Sequence, residues 1–214
     1  MHRTRKLLYT VSIIFVVFLI LLACAEGQAY RARQFANAIL SDVRKLRVGQ
    51  STYDDVSKVW ANYKSRSSIE GNGCDRIQCI LDFSSENKWL YDFGLVPGAR
   101  FAASLTVRQG VLIKISISLT SDPHYIATTD ETLADPNVSA FVVGGKRLIS
   151  SPRYSYVWAR ITSAASPDQR QQAYAFNLTC LTKWGGCKDS NQLLPILKPL
   201  SEADGTVPSP PISP

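Results

Sequence analysis

Ile113-Lys114-Ile115-Ser116-Ile117-Ser118-Leu119-Thr120 alternates apolar and polar residues without a break. Side chains of a strand point to opposite faces in turn. This run therefore predicts a strand with one face buried and one wet, the signature of an antiparallel sheet. A turn at Gln109-Gly110 precedes it, and before that Phe101, Ala103, Leu105 and Val107 repeat the period. Further back, Ile77, Cys79, Leu81 and Phe83 share one face. After a turn at Ser84 to Asn87, Trp89, Tyr91 and Phe93 do the same.

On the C-terminal side, Ser121 to Pro136 reads as a loop. Val138–Val143 and Arg147–Ile149 flank Gly144-Gly145, which predicts a hairpin. Tyr154–Ile161 and Ala173–Cys180 read as two strands around a loop at Ser163–Arg170. Leu193, Leu194, Ile196 and Leu197 suggest a short closing helix, interrupted or started by Pro195. Residues 201–214 are polar and Pro-rich, a composition that buries no core and predicts a disordered tail.

Helical spacing appears before the sheet. Phe35, Ile39, Val43 and Leu46 form an apolar stripe in a helix expected over Tyr30–Val48, with Gly49 as its C′ stop. Ser51 is positioned to cap a second helix, with Asp54 three residues on and Val56, Val59, Trp60 and Tyr63 as the buried stripe. Two helices joined by Gly49-Gln50 make a helical hairpin. The fold class is α+β: an N-terminal membrane helix, then a helical hairpin packed on an antiparallel, disulfide-bonded sheet.

The membrane helix is read from Leu7–Cys24, eighteen residues without a charge, preceded by His2, Arg3, Arg5 and Lys6. A helix of that length rises about 27 Å, close to the hydrocarbon thickness of a bilayer. The basic head is expected in the cytoplasm and the rest on the extracytoplasmic side. Three fates are open to residues 1–25. The run exceeds the usual length of a signal-peptide core, which favours retention as an anchor. Ala23-Cys24-Ala25 fits a small-x-small cleavage site, and Leu21-Leu22-Ala23-Cys24 resembles a lipobox with Cys24 as the lipidated residue. Residues 26–200 then form one extracytoplasmic domain.

Every Asp and Glu lies beyond this run, whereas three of the 24 Lys and Arg precede it, so the exported part carries less than the overall +7. Such a mild excess does not point to nucleic acid. The excess is concentrated at Arg31, Arg33, Arg44, Lys45, Arg47, Lys58, Lys64 and Arg66, where anionic lipid or wall polymer is a conceivable partner beside the membrane and another envelope protein. The remaining cysteines fall as close pairs, Cys74/Cys79 and Cys180/Cys187. In an oxidising compartment these become disulfides, and local pairing is the favoured connectivity of the three possible. A zinc site is disfavoured by the absence of C-x-x-C spacing and by export.

Leu46, Gly49, Ser51 and Val56, in a helix–Gly–capped helix–Cys–strand order over about residues 40–93, resemble the recurring phrase of the BamE (SmpA/OmlA) envelope lipoproteins and the β-lactamase-inhibitor-protein fold. Trp60-Ala61-Asn62-Tyr63 departs from the family's helix ending, and the C-terminal half has no counterpart in it. The resemblance implies a binding or scaffold role without catalysis, and a cysteine pair bridging the start of the sheet, as Cys74 and Cys79 do here by position.

No catalytic set is legible, and no cofactor or metal is expected. His124 sits in a turn-like Ser121-Asp122-Pro123-His124-Tyr125, while Asp54 and Asp55 suit a helix start. Asp82 and Asp92 suit the wet face of paired strands, near Lys88 or Arg100. Tyr154, Tyr156 and Trp158 alternate on one strand, with Trp89 and Tyr91 on another. Such aromatic rows form either core or a binding platform. Asn137-Val138-Ser139 and Asn177-Leu178-Thr179 match glycosylation acceptors, the second within an expected strand. The sequence thus favours a tethered binding protein, with an envelope hydrolase or carbohydrate-active enzyme as the alternative.

Overall fold

The structure, a computed structural model, describes residues 2–64, 67–70, 74–92, 94, 98–121, 124–148, 154–183 and 186–195. The expected tail and the last part of the expected closing helix lie outside these residues. One helix, α1 (His2–Val43), begins the chain; α2 (Tyr53–Tyr63) follows. Next come strands β1 (Ser67–Glu70) and β2 (Gln78–Glu86), the short helix α3 (Lys88–Asp92), and strands β3 (Ala99–Arg108), β4 (Val111–Ser121), β5 (Tyr125–Thr132), β6 (Phe141–Leu148) and β7 (Tyr154–Thr162). The chain closes with α4 (Pro167–Ala173), a 3-10 turn (Leu178–Leu181) and the single helical turn α5 (Ser190–Leu193).

The sheet runs β1-β2-β3-β4-β5-β7-β6, antiparallel throughout except for the parallel pair β5–β7. Its helix-side face is the core. Leu81, Phe83, Phe101, Ala103, Leu105, Val107, Ile115, Ile117, Leu119, Ala127, Val157, Ala159 and Ile161 all point inward and are buried. The inward set expected on β2, β3 and β4 is therefore realised, with two changes. Ile77 precedes β2 and is exposed. A register shift beside Thr106/Val107 lets Leu112 turn inward, and Ile113 is only half-buried.

α1 is much longer than the helix expected over Tyr30–Val48. It unites the apolar run with the domain in one rod of roughly 63 Å. Among the described residues it is the one helix long and apolar enough to cross a membrane. Its first half exposes Ile13, Ile14, Phe15 and Phe18. From Ala25 onward, Ala25, Ala29, Ala32, Ala36, Ile39, Leu40 and Val43 are buried on one side. Alanines let the rod approach the sheet closely, and the Ser85 hydroxyl donates to the Ala32 carbonyl at 2.9 Å.

A helical hairpin is not shown. α1 ends at Val43, and residues 44–52 separate it from α2. Gly49 has a positive φ of 80°, but no helix ends there. Its N–H donates to the Leu112 carbonyl, and Leu112 N–H donates to Ser51, so this segment is tied to the start of β4. The cap of α2 is Thr52 and not Ser51. The Thr52 hydroxyl accepts from Asp55 N–H while the Asp55 carboxylate accepts from Thr52 N–H, a capping box displaced by one residue from the expected Ser51/Asp54. The two helices still touch, through Phe35 against Tyr63 and the Tyr63 hydroxyl on Asp42 at 2.7 Å.

Other expectations change too. Ser121 to Pro136 contains β5, a central strand whose inward Thr129 and Glu131 hid it from a pattern search. Gly144-Gly145 lies within the continuous β6 and makes no hairpin. Trp89 and Tyr91 belong to α3, not to a strand. Ser163–Arg170 holds the start of α4, capped by Ser166, and Ala173–Cys180 is no strand. Cys74 stands at disulfide distance from Cys79, and Cys180 from Cys187, with Cα–Cα separations of 4.4 and 5.3 Å.

Replacing Thr52 by Ala should cost about 1 kcal/mol in urea unfolding through loss of the cap, whereas Asp54→Ala should cost less than half of that. Equal costs would contradict the displaced capping box.

Candidate functional site

Among the described residues no element packs on the face of the sheet away from the helices, and its centre is paved with small residues. Ala102, Ser118, Thr128, Trp158 and Gly144 stand side by side across β3, β4, β5, β7 and β6. The neighbouring row is Ser104, Ser116, Asp130, Arg160 and Val142. A flat area of hydroxyls and methyls results, with the aromatic groups at one end.

At that end, glycine decides the geometry. A Cβ on Gly144 would collide with the indole of Trp158, so the ring lies across β6 only because residue 144 has no side chain. The Arg160 guanidinium stacks over the same indole, 5.0 Å from its centroid. One step along β7, the Tyr156 hydroxyl shares a hydrogen bond of 2.9 Å with Thr128. Both aromatics are half-buried by this packing and keep an open edge. Ser116 donates to Asp130 at 2.5 Å, and Lys114 lies 3.7 Å from the same carboxylate. Stacking ring, guanidinium and ordered hydroxyls together suit the apolar C–H face of a sugar ring or a partner's side chains.

The expected aromatic rows are thus only partly joined. Tyr156 and Trp158 share the open face, and Tyr154 opens the same strand with its side chain outside the described residues. Tyr91 sits elsewhere, exposed on α3 with its ring against Gly98, and the Trp89 side chain lies outside the described residues. Cys24 is a free, exposed thiol on α1 at the end of the apolar run. Asp82 lies on the open face and Asp92 on α3; neither forms an ion pair with Lys88 or Arg100 among the described residues. Asn137 is exposed in a turn. The Asn177 side chain caps the 3-10 turn, accepting from Thr179 and donating to the Gln192 carbonyl.

A buried polar cluster on the core side was not foreseen. Arg170 of α4 donates to Glu131 of β5 at 2.9 Å, to the Arg44 carbonyl at 2.6 Å and to the Leu46 carbonyl at 2.7 Å. Tyr174 donates to the same Glu131 oxygen at 2.5 Å, and Arg44 reaches back to the Tyr174 carbonyl. Burial, then the Glu131 charge, pushes the Tyr174 phenol well above its ordinary value. Burial, then the charge of Arg170, lowers Arg44. The cluster fastens the chain just after α1 to the sheet. Each guanidinium nitrogen of Arg170 has an internal acceptor, so the cluster acts as a structural clamp. Pro167 behind a capping Ser166 signals α4 in retrospect, but nothing in the sequence pairs Arg170 with Glu131.

Compared with known protein families, curated proteins and solved structures, the chain matches none of them.

Arg170→Met should destabilise the domain by about 3–5 kcal/mol, because Glu131 and two backbone carbonyls lose a buried partner. Adding Glu131→Leu to that variant should recover part of the loss in urea unfolding. A loss under about 1 kcal/mol for the single variant would mean that the cluster is not a clamp.

Proposed function

We propose that the protein is a membrane-tethered binding or scaffold protein whose domain stands on the extracytoplasmic side, most readily in a bacterial envelope. The basic head before the apolar half of α1 supports that sidedness. The observation that carries the binding role is the uncovered sheet face, where Trp158, Arg160 and Tyr156 are held in fixed positions beside a flat Ser/Thr floor. The resemblance to BamE-like proteins and to the β-lactamase-inhibitor-protein fold points the same way, toward binding without catalysis. Its ligand is then another envelope protein or a wall polymer laid across that face.

The deeper concavity favours binding over hydrolysis as well. It has about 510 Å³ between α2 and the Cys74–Cys79 bridge and is walled by Tyr53, Trp60, Ala61 and Leu81. Its Asp54 is paired with Arg76 at 3.1 Å. An acid–base site needs convergent titratable groups, and here the lining carboxylate is already engaged.

A photoreactive residue at Thr128 in the full chain, in intact cells, should cross-link an extracytoplasmic protein or glycan, and Trp158→Ala should remove that product. A product unchanged by Trp158→Ala would exclude the face as the binding site. In the same cells Cys24→Ala should leave the chain on the membrane if α1 is retained, whereas release would assign the tether to a lipid on Cys24.

A further inference from the structure

The end of the domain next to the apolar run has a position fixed by geometry. Resting on the reading of α1 as a membrane anchor, the hydrocarbon boundary falls near Cys24. The headgroup layer beyond it is up to about 7.5 Å deep, which the helix crosses in about five residues. Ala25 and Ala29 fall inside that layer, yet they are 0% and 1% exposed because the folded domain already covers them. No spacer separates bilayer from domain: the helix is continuous from His2 to Val43. Whatever covers Ala25 and Ala29 must share the headgroup layer.

The contacts identify that part. Phe83 meets Tyr63, which meets Phe35, and Ser85 two residues later bonds Ala32. β2 therefore advances toward the N-terminal half of α1, and α3, packed on α1, continues in the same direction. Asn87 ties this end to Ala99, at the start of β3. Cys187 N–H donates to Ser121 at the same edge of the sheet, which brings the Cys187–Lys188 segment alongside. The opposite edge, at Arg108, lies about 30 Å away along β3.

We infer that this end, formed by α1 from Ala25 to Tyr30, α3 and the Cys187–Lys188 segment, is a docking surface seated in the lipid headgroups of the bilayer that holds α1. Its composition suits that layer. Tyr91 is 57% exposed, and amphipathic rings favour the headgroup level; Tyr30 is equally exposed at the outer margin of that layer, its hydroxyl accepting from Gln34 at 2.7 Å. Arg31, Lys88 and Lys188 are exposed cations at the same end, able to reach lipid phosphates. Glu26, Glu86 and Asp92 are there too, so the surface is mixed and not a polybasic patch. Arg44, Lys45 and Arg47 begin about 30 Å beyond Cys24 along the helix and take no part. The surface explains why a tethered domain carries exposed tyrosines away from its open sheet face: docking would stand the sheet upright on the membrane, with Trp158 facing sideways.

The test uses the full chain with Cys24→Ser, reconstituted in phospholipid vesicles, carrying one fluorophore on Phe15→Cys, Asp92→Cys or Arg108→Cys. All three sites are exposed, so labelling leaves the packing intact. Acyl-chain nitroxides should quench the label at 15, and headgroup nitroxides should quench the label at 92 several-fold more than that at 108. Equal headgroup quenching at 92 and 108, with 15 quenched from the acyl chains, would overturn the docking while leaving the anchor. Absence of acyl-chain quenching at 15 would overturn the anchor and the docking with it.

Discussion

One helix in this protein carries two different surfaces, and the rest of the structure follows from how it does so. The first half of α1 offers lipid-like side chains all around. The second half narrows to a stripe of alanines, then Ile39, Leu40 and Val43, against which the sheet closes. Because no turn separates the halves, the pose of the sheet is set by the pose of the helix. A linker would have allowed the domain to tumble; a continuous rod of roughly 63 Å does not.

Holding such a rod to a sheet requires more than apolar contact, since a mostly alanine stripe buries little area per residue. The reinforcement sits where α1 ends. Arg170 joins the carbonyls of Arg44 and Leu46 to Glu131, and Tyr174 donates to the same carboxylate oxygen. Gly49 and Ser51 then bond to Leu112, so the chain leaving the helix is tied at two points. The opposite face of the sheet needs nothing from the helices and is left free, with Gly144 making room for Trp158.

How far the sequence revealed this depended on whether the relevant force leaves a period. Strict alternation exposed β3 and β4, and β2 with them, because one face is apolar and the other wet. β5 carries Thr129 and Glu131 inward, satisfied by Ala173, Arg170 and Tyr174 from distant parts of the chain, so no period marks it. Trp89 and Tyr91 alternate like a strand but fold as a helical turn against α1, a tertiary choice that propensity does not encode. Of the candidate surface, Tyr156 and Trp158 were legible from spacing. The floor beside them was not, since Thr128 belongs to the missed strand and Gly144 looked like a turn.

The central claim is that α1 runs unbroken from its apolar half into the domain. Hydrogen–deuterium exchange of the full chain in lipid nanodiscs reads it directly at the amides of residues 22–30. The account predicts exchange there as slow as in Ile39–Val43. Fast exchange confined to residues 22–30, between protected flanks, would contradict it.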